Sequence, residues 1–174
     1  TRCIYWYFYT GTDNSKLKHY IDAVVRELEI RKDYVEGDVV RTIYFGGGTP
    51  SQLNSDEFGR IFSAISQHYN VDSNAEITFE ANPDDLTVDF FDSIAKLPFN
   101  RLSIGIQTFD DAELQFLNRR HSAQAAVEAI KLAQNRGFTN ISIDLIYGIP
   151  NQTLDAWRHN MDVALSLGIQ HISA

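Results

Sequence analysis

The sequence predicts an α/β fold built on parallel β-strands. Short segments rich in β-branched and aromatic residues alternate along the chain with longer segments whose apolar residues recur at helical spacing. This alternation is typical of parallel strands joined by right-handed helical crossovers. With 174 residues, of which 44% are hydrophobic and 22% charged, the chain has the size and composition of one globular domain. No linker-like stretch marks an internal domain boundary.

The predicted strands are short and share a β-branched and aromatic composition. Four of them are central to the chain: 41–45, 75–80, 101–107 and 140–146. The opening C-I-Y-W-Y-F-Y and the closing Q-H-I-S-A have the same character and are predicted as two further strands.

The first two predicted helices each carry one apolar stripe, formed by Leu17, Tyr20, Ile21, Val24, Val25 and Leu28 in the first and by Phe58, Ile61, Phe62 and Ile65 in the second. Further helices are expected near 87–96, 110–118, 122–136 and 153–167. Asn54 with Glu57 resembles a capping box at the start of the second helix, and Gly137 and Gly168 stand where helix C-terminal glycines belong.

Two architectures are consistent with this alternation of strands and helices: an open doubly wound sheet and a barrel, whole or partial. Polar residues recur at the carboxyl end of strand after strand. In a parallel barrel those ends converge on one face, where sites are built. The sequence therefore favours the barrel.

Charge and cysteine content exclude several classes of protein. A formal net charge of -8 argues against general nucleic-acid binding, which requires a surface rich in Lys and Arg. No apolar run approaches the ~20 residues of a membrane-spanning helix, and no secretory pattern precedes the first strand. The single cysteine, Cys3, rules out an intrachain disulfide and is consistent with a reducing compartment, so we expect a cytoplasmic location.

The most specific local motif is Y-F-G-G-G-T-P-S, residues 44–51. Three consecutive glycines at a strand end let the backbone approach a ligand closely and make its amides and carbonyls the contact groups. The motif lacks the Gly-Lys-Ser/Thr ending of a Walker loop and the third glycine of a dinucleotide-binding turn. A tight turn without a ligand is the alternative.

Four polar residues at or near strand ends are candidate site residues, and each also has an ordinary explanation. The ordinary role of Glu80 is a favourable interaction with the dipole of the following helix, and that of Gln107 is hydrogen bonding to loop backbone groups. Arg119 is equally suited to a solvated helix end. Asp144 lies in an apolar strand, where an unpaired carboxylate is costly, so it is the hardest of the four to explain without a function.

Several motifs in order resemble the radical S-adenosylmethionine enzymes of the oxygen-independent coproporphyrinogen III oxidase family. They are C-I-Y-x-x-F-Y, Y-F-G-G-G-T-P-S, E-A-N-P, R-L-S-I-G-I-Q-T-F and I-S-I-D-L-I-Y-G-I-P-x-Q-T. The resemblance covers residues 1–174 and implies a partial (β/α)6 TIM-like barrel of the radical SAM type. Because the family's members are longer at both ends, it also implies a core barrel truncated at both ends, with no second domain in this chain.

The resemblance also implies cofactors, namely S-adenosylmethionine and a four-iron, four-sulfur cluster held by three cysteines of a C-x-x-x-C-x-x-C loop. Carried over by position, Gly47, Gly48 and Thr49 would line the methionyl end of S-adenosylmethionine. Glu80 and Gln107 would accept hydrogen bonds from its amino group or hydroxyls.

Two more residues carry over from the family. Arg119 would pair with a carboxylate of the cofactor, and Asp144 would bind its ribose hydroxyls. The catalytic residues themselves are not assigned by the resemblance.

The cluster loop departs from the family pattern. Cys3 matches the middle cysteine, the first would precede the chain, and the third position holds Trp6, whose indole cannot ligate iron. We therefore expect this chain as written not to hold the cluster and to be inactive alone, which leaves its status as an enzyme open. A truncated or altered loop, misread residues and a natural loss of the chemistry are the three explanations. The intact strand-end set favours a fragment of a functional parent.

The branch within the family follows from one further position. Oxidases of the family carry another cysteine where this chain has Phe8, so the chain resembles the heme chaperone branch, the HemW type. The implied partners are heme or a porphyrin, an electron donor for the cluster and a heme-acceptor protein. The oxidase itself and a non-catalytic binding domain are the alternatives. His121 and His171 are the histidines nearest the predicted site face, and neither is assigned as a heme ligand.

Overall fold

Five β-strands form one sheet in a computed structural model that describes residues 16–34, 37 and 39–174. Their bounds are β1 Val40–Phe45, β2 Val71–Ala81, β3 Arg101–Gln107, β4 Asn140–Leu145 and β5 His171–Ser173. The four central predictions and the closing strand are confirmed, with β2 beginning four residues earlier than expected. The predicted opening strand, with Cys3, Trp6 and Phe8, lies outside the described residues.

The strand order distinguishes between the two predicted architectures. It runs β1-β2-β3-β4-β5 without reversal, and the pairs β2–β3, β3–β4 and β4–β5 are parallel. A doubly wound sheet reverses its order at a switch point, whereas a barrel is wound in one direction. The sequential order is that of a partial barrel, as the sequence favoured.

Six α-helices occupy the described residues: α1 Leu17–Ile30, α2 Ser55–His68, α3 Val88–Ile94, α4 Asp111–Phe116, α5 Ala123–Asn135 and α6 Leu154–Ser166. The capping box is confirmed, because Asn54 accepts from the Glu57 amide and Glu57 accepts from the Asn54 amide. Gly137 and Gly168 follow α5 and α6 with φ of +92° and +68°, as helix C-terminal glycines do. Two helices, α4 and α5, separate β3 from β4, so the alternation is not strictly one to one.

The two faces of β2, β3 and β4 differ in polarity. One face consists of buried apolar residues: Ile77, Phe79, Ala81, Leu102, Ile104, Ile106, Ile141, Ile143 and Leu145. Phe79 packs there against Phe90 of α3, with ring centroids 5.6 Å apart. Since side chains alternate along a strand, Glu80, Ser103 and Asp144 lie on the other face. We refer to this second face as the inner face.

The described residues fall into two compact units. The first contains the described residues up to Ile43 and Leu53–Ala75. Within it Arg60 of α2 pairs with Asp22 of α1, and the Tyr69 hydroxyl donates to the Leu28 carbonyl. The second contains Tyr44–Gln52 and Glu76–Ala174, and with them every described site residue predicted from the sequence. None of the helices in the described part of the chain is long and apolar enough to cross a membrane. That the chain forms a single truncated domain stays a prediction.

Candidate functional site

A cleft opens at the carboxyl ends of β2, β3 and β4, beside the loop that follows β1. It encloses about 160 Å³ and is lined by Gly48, Thr49, Pro50, Glu80, Ala81, Asn82, Ser103, Gly105, Gln107 and Asp144. Pockets that enclose a whole drug-sized ligand measure roughly 300–1,000 Å³. The cleft is therefore large enough for one end of such a molecule. Five of the seven described site residues predicted from the sequence line it directly.

Glu80, at the end of β2, holds the glycine loop in place. Its Oε1 accepts a hydrogen bond from the Tyr44 hydroxyl at 2.8 Å, and its Oε2 accepts one from the Gly47 amide at 3.1 Å. A Cβ on Gly46 would lie 2.9 Å from Glu80 Oε1 and 2.7 Å from Tyr44 Cε1, so any other residue there would displace the Tyr44 or Glu80 side chain. Gly47 and Gly48 have φ of +74° and +62°, which also favours glycine. The three glycines thus serve both a close approach and a left-handed turn.

A second carboxylate, Asp85, anchors the other end of the same loop. Its Oδ2 accepts from the Ser51 hydroxyl at 2.8 Å, and its Oδ1 accepts from the Gln52 side-chain amide at 2.9 Å. Ser51 and Gln52 belong to a 3₁₀ turn, Pro50–Gln52, and Asp85 ends a similar turn, Pro83–Asp85. The loops that follow β1 and β2 are thereby tied together. The sequence analysis missed Asp85.

Gln107 ends β3 beyond a β-bulge. Ile104 pairs with Ile143 and Gln107 with Leu145, so β3 advances three residues while β4 advances two. Gln107 has φ of +73°, an unfavourable value for a residue with a side chain. Its Nε2 would lie 2.9 Å from a Cβ on Gly105, so the amide folds back over that glycine into the cleft wall. The bulge directs this side chain to the site.

Arg119 follows α4, after Asn118 with φ of +53°. Its Nη2 donates to Asn82 Oδ1 at 2.7 Å and to the Gly105 carbonyl at 2.9 Å. It is therefore fixed against two residues that line the cleft, which excludes the solvated-charge explanation. Arg119 itself is not among the lining residues. Its pairing with a cofactor carboxylate stays a prediction.

Asp144 brings a second negative charge to the inner face beside Glu80. Burial raises the pKa of Asp144 above its usual 3.8, and the neighbouring Glu80 carboxylate raises it further, while a 3.4 Å hydrogen bond from Ser103 opposes both. Burial and the hydrogen bond to Glu80 likewise raise the pKa of Tyr44. The excess of negative charge in a confined cleft favours a cationic ligand.

His121 lies behind the site and supports it. It is 7% exposed, with Nε2 3.1 Å from the Ile106 carbonyl oxygen and Nδ1 3.6 Å from Asp84 Oδ1. Burial lowers the pKa of His121 below 6.5, which favours the neutral ring with Nε2 as donor. The residue connects the bulge of β3 to the turn after β2. It takes no part in the cleft.

A buried polar network holds the loops after β3 and β4. The Thr108 hydroxyl donates to Glu113 Oε2 at 2.5 Å, and the Phe109 amide donates to Asn160 Oδ1 at 2.7 Å. Gln152, in the loop after β4, donates to the same Glu113 oxygen at 3.0 Å. Helix α6, through Asn160, is thereby joined to the end of β3. The sequence analysis found none of these residues.

The fold is a partial α/β barrel, with a glycine loop and two carboxylates at the carboxyl ends of its strands. The sequence profile of the Radical SAM superfamily matches residues 1–164. The chain belongs to that superfamily. Membership implies S-adenosylmethionine and a four-iron, four-sulfur cluster as cofactors. Among the described residues no group of three or more His, Cys, Asp or Glu is arranged to hold a metal ion, and Cys3 lies outside them.

Two curated relatives and one solved structure locate the chain within the superfamily. Heme chaperone HemW of Lactococcus lactis is 35% identical over 153 residues, covering 88% of this chain and 40% of that protein. Oxygen-independent coproporphyrinogen III oxidase of Escherichia coli is 30% identical over 158 residues, covering 91% of this chain and 35% of that protein. The structure of coproporphyrinogen III oxidase (HemN) from E. coli, described as a radical SAM enzyme, superposes with a TM-score of 0.80 at 28% identity, over 94% of this chain and 39% of that one. The chain spans less than half the length of these relatives.

Proposed function

We propose that the chain is the cofactor-binding barrel of a heme chaperone of the HemW kind, which binds heme and delivers it to an acceptor protein. The observation that carries the proposal is the 35% identity to a relative named heme chaperone, against 30% to the relative named oxidase. Phe8, at a position where the family's oxidases are expected to have a cysteine, supports the same choice.

The cleft residues fit S-adenosylmethionine by their chemistry. The cofactor carries an ammonium group, a sulfonium cation and a ribose diol, all of which a carboxylate-rich cleft favours. Glu80 and Gln107 would accept hydrogen bonds from the ammonium group or hydroxyls, and Asp144 would bind the ribose diol. Each oxygen of Glu80 already accepts one hydrogen bond and has capacity for a second.

The glycine loop would hold the methionyl end of the same cofactor. Gly48 and Thr49 line the cleft, while Gly47 donates its amide to Glu80 and so orients that carboxylate. Arg119 would take the cofactor's carboxylate, and its bonds to Asn82 and Gly105 keep the guanidinium beside the cleft wall. When bound beside a reduced cluster, S-adenosylmethionine supplies a carbon-centred radical.

We infer that this chain as written does not hold the cluster. Trp6 stands at the position of the third cysteine of the family's loop, and an indole cannot ligate iron. The cofactor cleft and the cluster loop are therefore separable in experiments. Binding of S-adenosylmethionine tests the first, and uptake of iron and sulfide tests the second.

The competing function is that of the oxidase, which decarboxylates two propionates of coproporphyrinogen III to vinyl groups. The TM-score of 0.80 to the E. coli oxidase structure favours it. A non-catalytic binding domain is the third candidate, and Trp6 at the third cysteine position favours that one.

Full-length protein with Trp6→Cys, which restores the third cysteine of the loop, separates the three functions when it is purified and reconstituted anaerobically with iron and sulfide. A heme chaperone takes up the cluster, binds heme and transfers it to an apo-acceptor without consuming coproporphyrinogen III. Formation of protoporphyrinogen would overturn the proposal in favour of the oxidase. Heme or S-adenosylmethionine binding without any iron and sulfide uptake would support the non-catalytic domain instead.

A further inference from the structure

Asn82 lies in the wall of the cleft and joins Arg119 to the loop that follows β1. Its Oδ1 accepts a 2.7 Å hydrogen bond from Nη2 of Arg119, and its Nδ2 donates to Oδ2 of Asp85 at 3.4 Å. The same Oδ2 of Asp85 accepts from the Ser51 hydroxyl at 2.8 Å. Three hydrogen bonds therefore run in series from the glycine loop, through Asp85 and Asn82, to the guanidinium.

The chemistry of its two partners fixes the orientation of the Asn82 amide. A guanidinium only donates hydrogen bonds, and a carboxylate only accepts them. The amide satisfies both partners with its oxygen toward Arg119 and its nitrogen toward Asp85, whereas a flipped amide would satisfy neither. Asn82 therefore presents a fixed acceptor to Arg119.

The space for this contact is provided by Gly105. Its carbonyl accepts a second hydrogen bond from Nη2 of Arg119, at 2.9 Å. A Cβ on Gly105 would lie 2.9 Å from Gln107 Nε2, 3.5 Å from Arg119 Nη2 and 3.8 Å from Asn82 Oδ1. The absence of a side chain lets polar atoms of three residues approach one point beside the cleft. Nη2 is held there by acceptors from two different parts of the chain.

The two acceptors that hold Arg119 Nη2 are neutral, one a side-chain amide oxygen and the other a backbone carbonyl. A neutral acceptor orients a guanidinium without competing for an anion, whereas an aspartate at position 82 would compete with the carboxylate of a ligand. Its charge would also lie beside the carboxylate of Asp85, and like charges repel. Asparagine is therefore the side chain suited to orient Arg119 toward an anionic group.

We propose that Asn82 is a positioning residue for recognition of the cofactor's carboxylate, acting through Arg119. The inference rests on the proposed function, in which the cleft binds S-adenosylmethionine, and it names the residue that orients Arg119 for that group. Because Asp85 also holds Ser51, the same series of hydrogen bonds ties the glycine loop to the guanidinium. The two elements proposed to hold the methionyl end are thereby set relative to each other.

Isothermal titration calorimetry of the full-length protein with two compounds tests the inference. S-adenosylmethionine and decarboxylated S-adenosylmethionine share the ammonium, the sulfonium and the nucleoside, and differ by the carboxylate alone. Asn82→Ala is expected to weaken binding of S-adenosylmethionine about tenfold, as the loss of a hydrogen bond to a charged group predicts, and to leave the affinity for the decarboxylated compound unchanged. Titration without added iron and sulfide keeps a cluster, which would itself bind the carboxylate, out of the measurement.

Two further variants separate positioning from a general loss of structure. Asn82→Asp is expected to weaken binding of S-adenosylmethionine with the same selectivity, because its carboxylate competes for Arg119. In an Arg119→Ala background, Asn82→Ala should cause no further loss, since Asn82 acts through that guanidinium. Asn135→Ala, at the exposed end of α5, is the matched control and should change neither affinity.

The outcomes distinguish this inference from the proposed function. If Asn82→Ala weakens both compounds alike or weakens neither, or if the losses in the double variant are additive, the inference is wrong and the proposed cofactor site stands. Equal affinity of the unaltered protein for the two compounds would show that Arg119 takes no carboxylate, which also overturns the inference. If the unaltered protein binds neither compound, the proposed cofactor site fails, and the inference fails with it.

Discussion

The Tyr44 hydroxyl, near the end of β1, donates a 2.8 Å hydrogen bond to Oε1 of Glu80, near the end of β2. Because the Gly47 amide donates to the other carboxylate oxygen, Glu80 is held from both sides. A carboxylate with a fixed orientation binds an incoming ammonium group without a further loss of side-chain entropy. Tyr44 is therefore a positioning residue of the cleft, acting through Glu80.

Tyr44→Phe is expected to weaken binding of S-adenosylmethionine about fivefold. The loss corresponds to ~1 kcal/mol, the typical net value of one hydrogen bond. Isothermal titration calorimetry measures it directly. Tyr20→Phe, at a residue of α1 that is 60% exposed, is the control and should leave the affinity unchanged. Equal affinities of the Tyr44 variant and the unaltered protein would show that Glu80 needs no such support.

Asp85→Ala should loosen the loop that follows β1. The change removes the acceptors of Ser51 and Gln52, so the amides of residues 46–49, 51 and 52 are expected to exchange with deuterium several-fold faster. Hydrogen exchange followed by mass spectrometry resolves this segment. Asp162→Ala, at an exposed position of α6, should leave the exchange of the same amides unchanged. Unaltered exchange in the Asp85 variant would mean that Glu80 alone holds the loop.

The features that were predictable from the sequence are those set by local chemistry. The Asn54 and Glu57 capping box needs residues only three apart, and the strand ends at Glu80 and Gln107 follow from short β-rich runs bounded by loop residues. Asp144 was identified because a carboxylate in an apolar strand has few ordinary explanations. Family motifs then connected these positions to one cofactor.

The features that were not predictable depend on contacts between distant positions. Asp85 follows Pro83 in a polar stretch, and nothing local shows that its partners lie 33 and 34 residues away. The bulge before Gln107 is a matter of register between two strands, which no single strand encodes. In the sequence Tyr44 has the pattern of an ordinary strand aromatic, and only the structure shows that its hydroxyl donates to Glu80.

His121 is expected to make stability depend on pH below neutrality. Burial, together with Arg119 and Arg120, lowers the pKa of His121 below 6.5, and Asp84 opposes this shift. The unfolded chain therefore binds a proton on this ring at a higher pH than the folded chain does. Stability contributed by this group is therefore present above pH 6.5 and is lost as the pH falls below it. His121→Gln should remove that loss, so its urea midpoint should fall less between pH 7.5 and 5.5 than that of the unaltered protein.

The matching control for this pH effect is His159→Gln, because His159 is exposed on α6. It should show the same change of urea midpoint with pH as the unaltered protein. If His121→Gln also shows that same change, the ionisation of His121 does not contribute to the pH dependence of stability.

Asn160→Ala should be the most destabilising of these substitutions. It leaves the buried Phe109 amide without its acceptor and Thr108 without one of its partners. An orphaned buried donor together with the vacated volume costs about 2–4 kcal/mol of unfolding free energy. Urea denaturation measures the loss, and Asn135→Ala at the exposed end of α5 should change the free energy by less than ~0.5 kcal/mol. A loss of that small size at Asn160 would mean that the network contributes little.

Asp144→Asn should stabilise the fold and weaken cofactor binding at the same time. Because burial and Glu80 raise the pKa of Asp144 above 3.8, the folded chain keeps a proton that the unfolded chain has already lost, and stability falls as the pH rises through that range. At neutral pH the ionised group therefore costs stability, which the amide avoids. The melting temperature at pH 7 should rise, and the gain should shrink toward pH 3.8. Affinity for S-adenosylmethionine should drop about tenfold, since a cationic ligand loses one carboxylate. The control, Asp162→Asn, should change neither the melting temperature nor the affinity. An Asp144→Asn variant that gained stability but kept full affinity would show that Asp144 does not bind the cofactor.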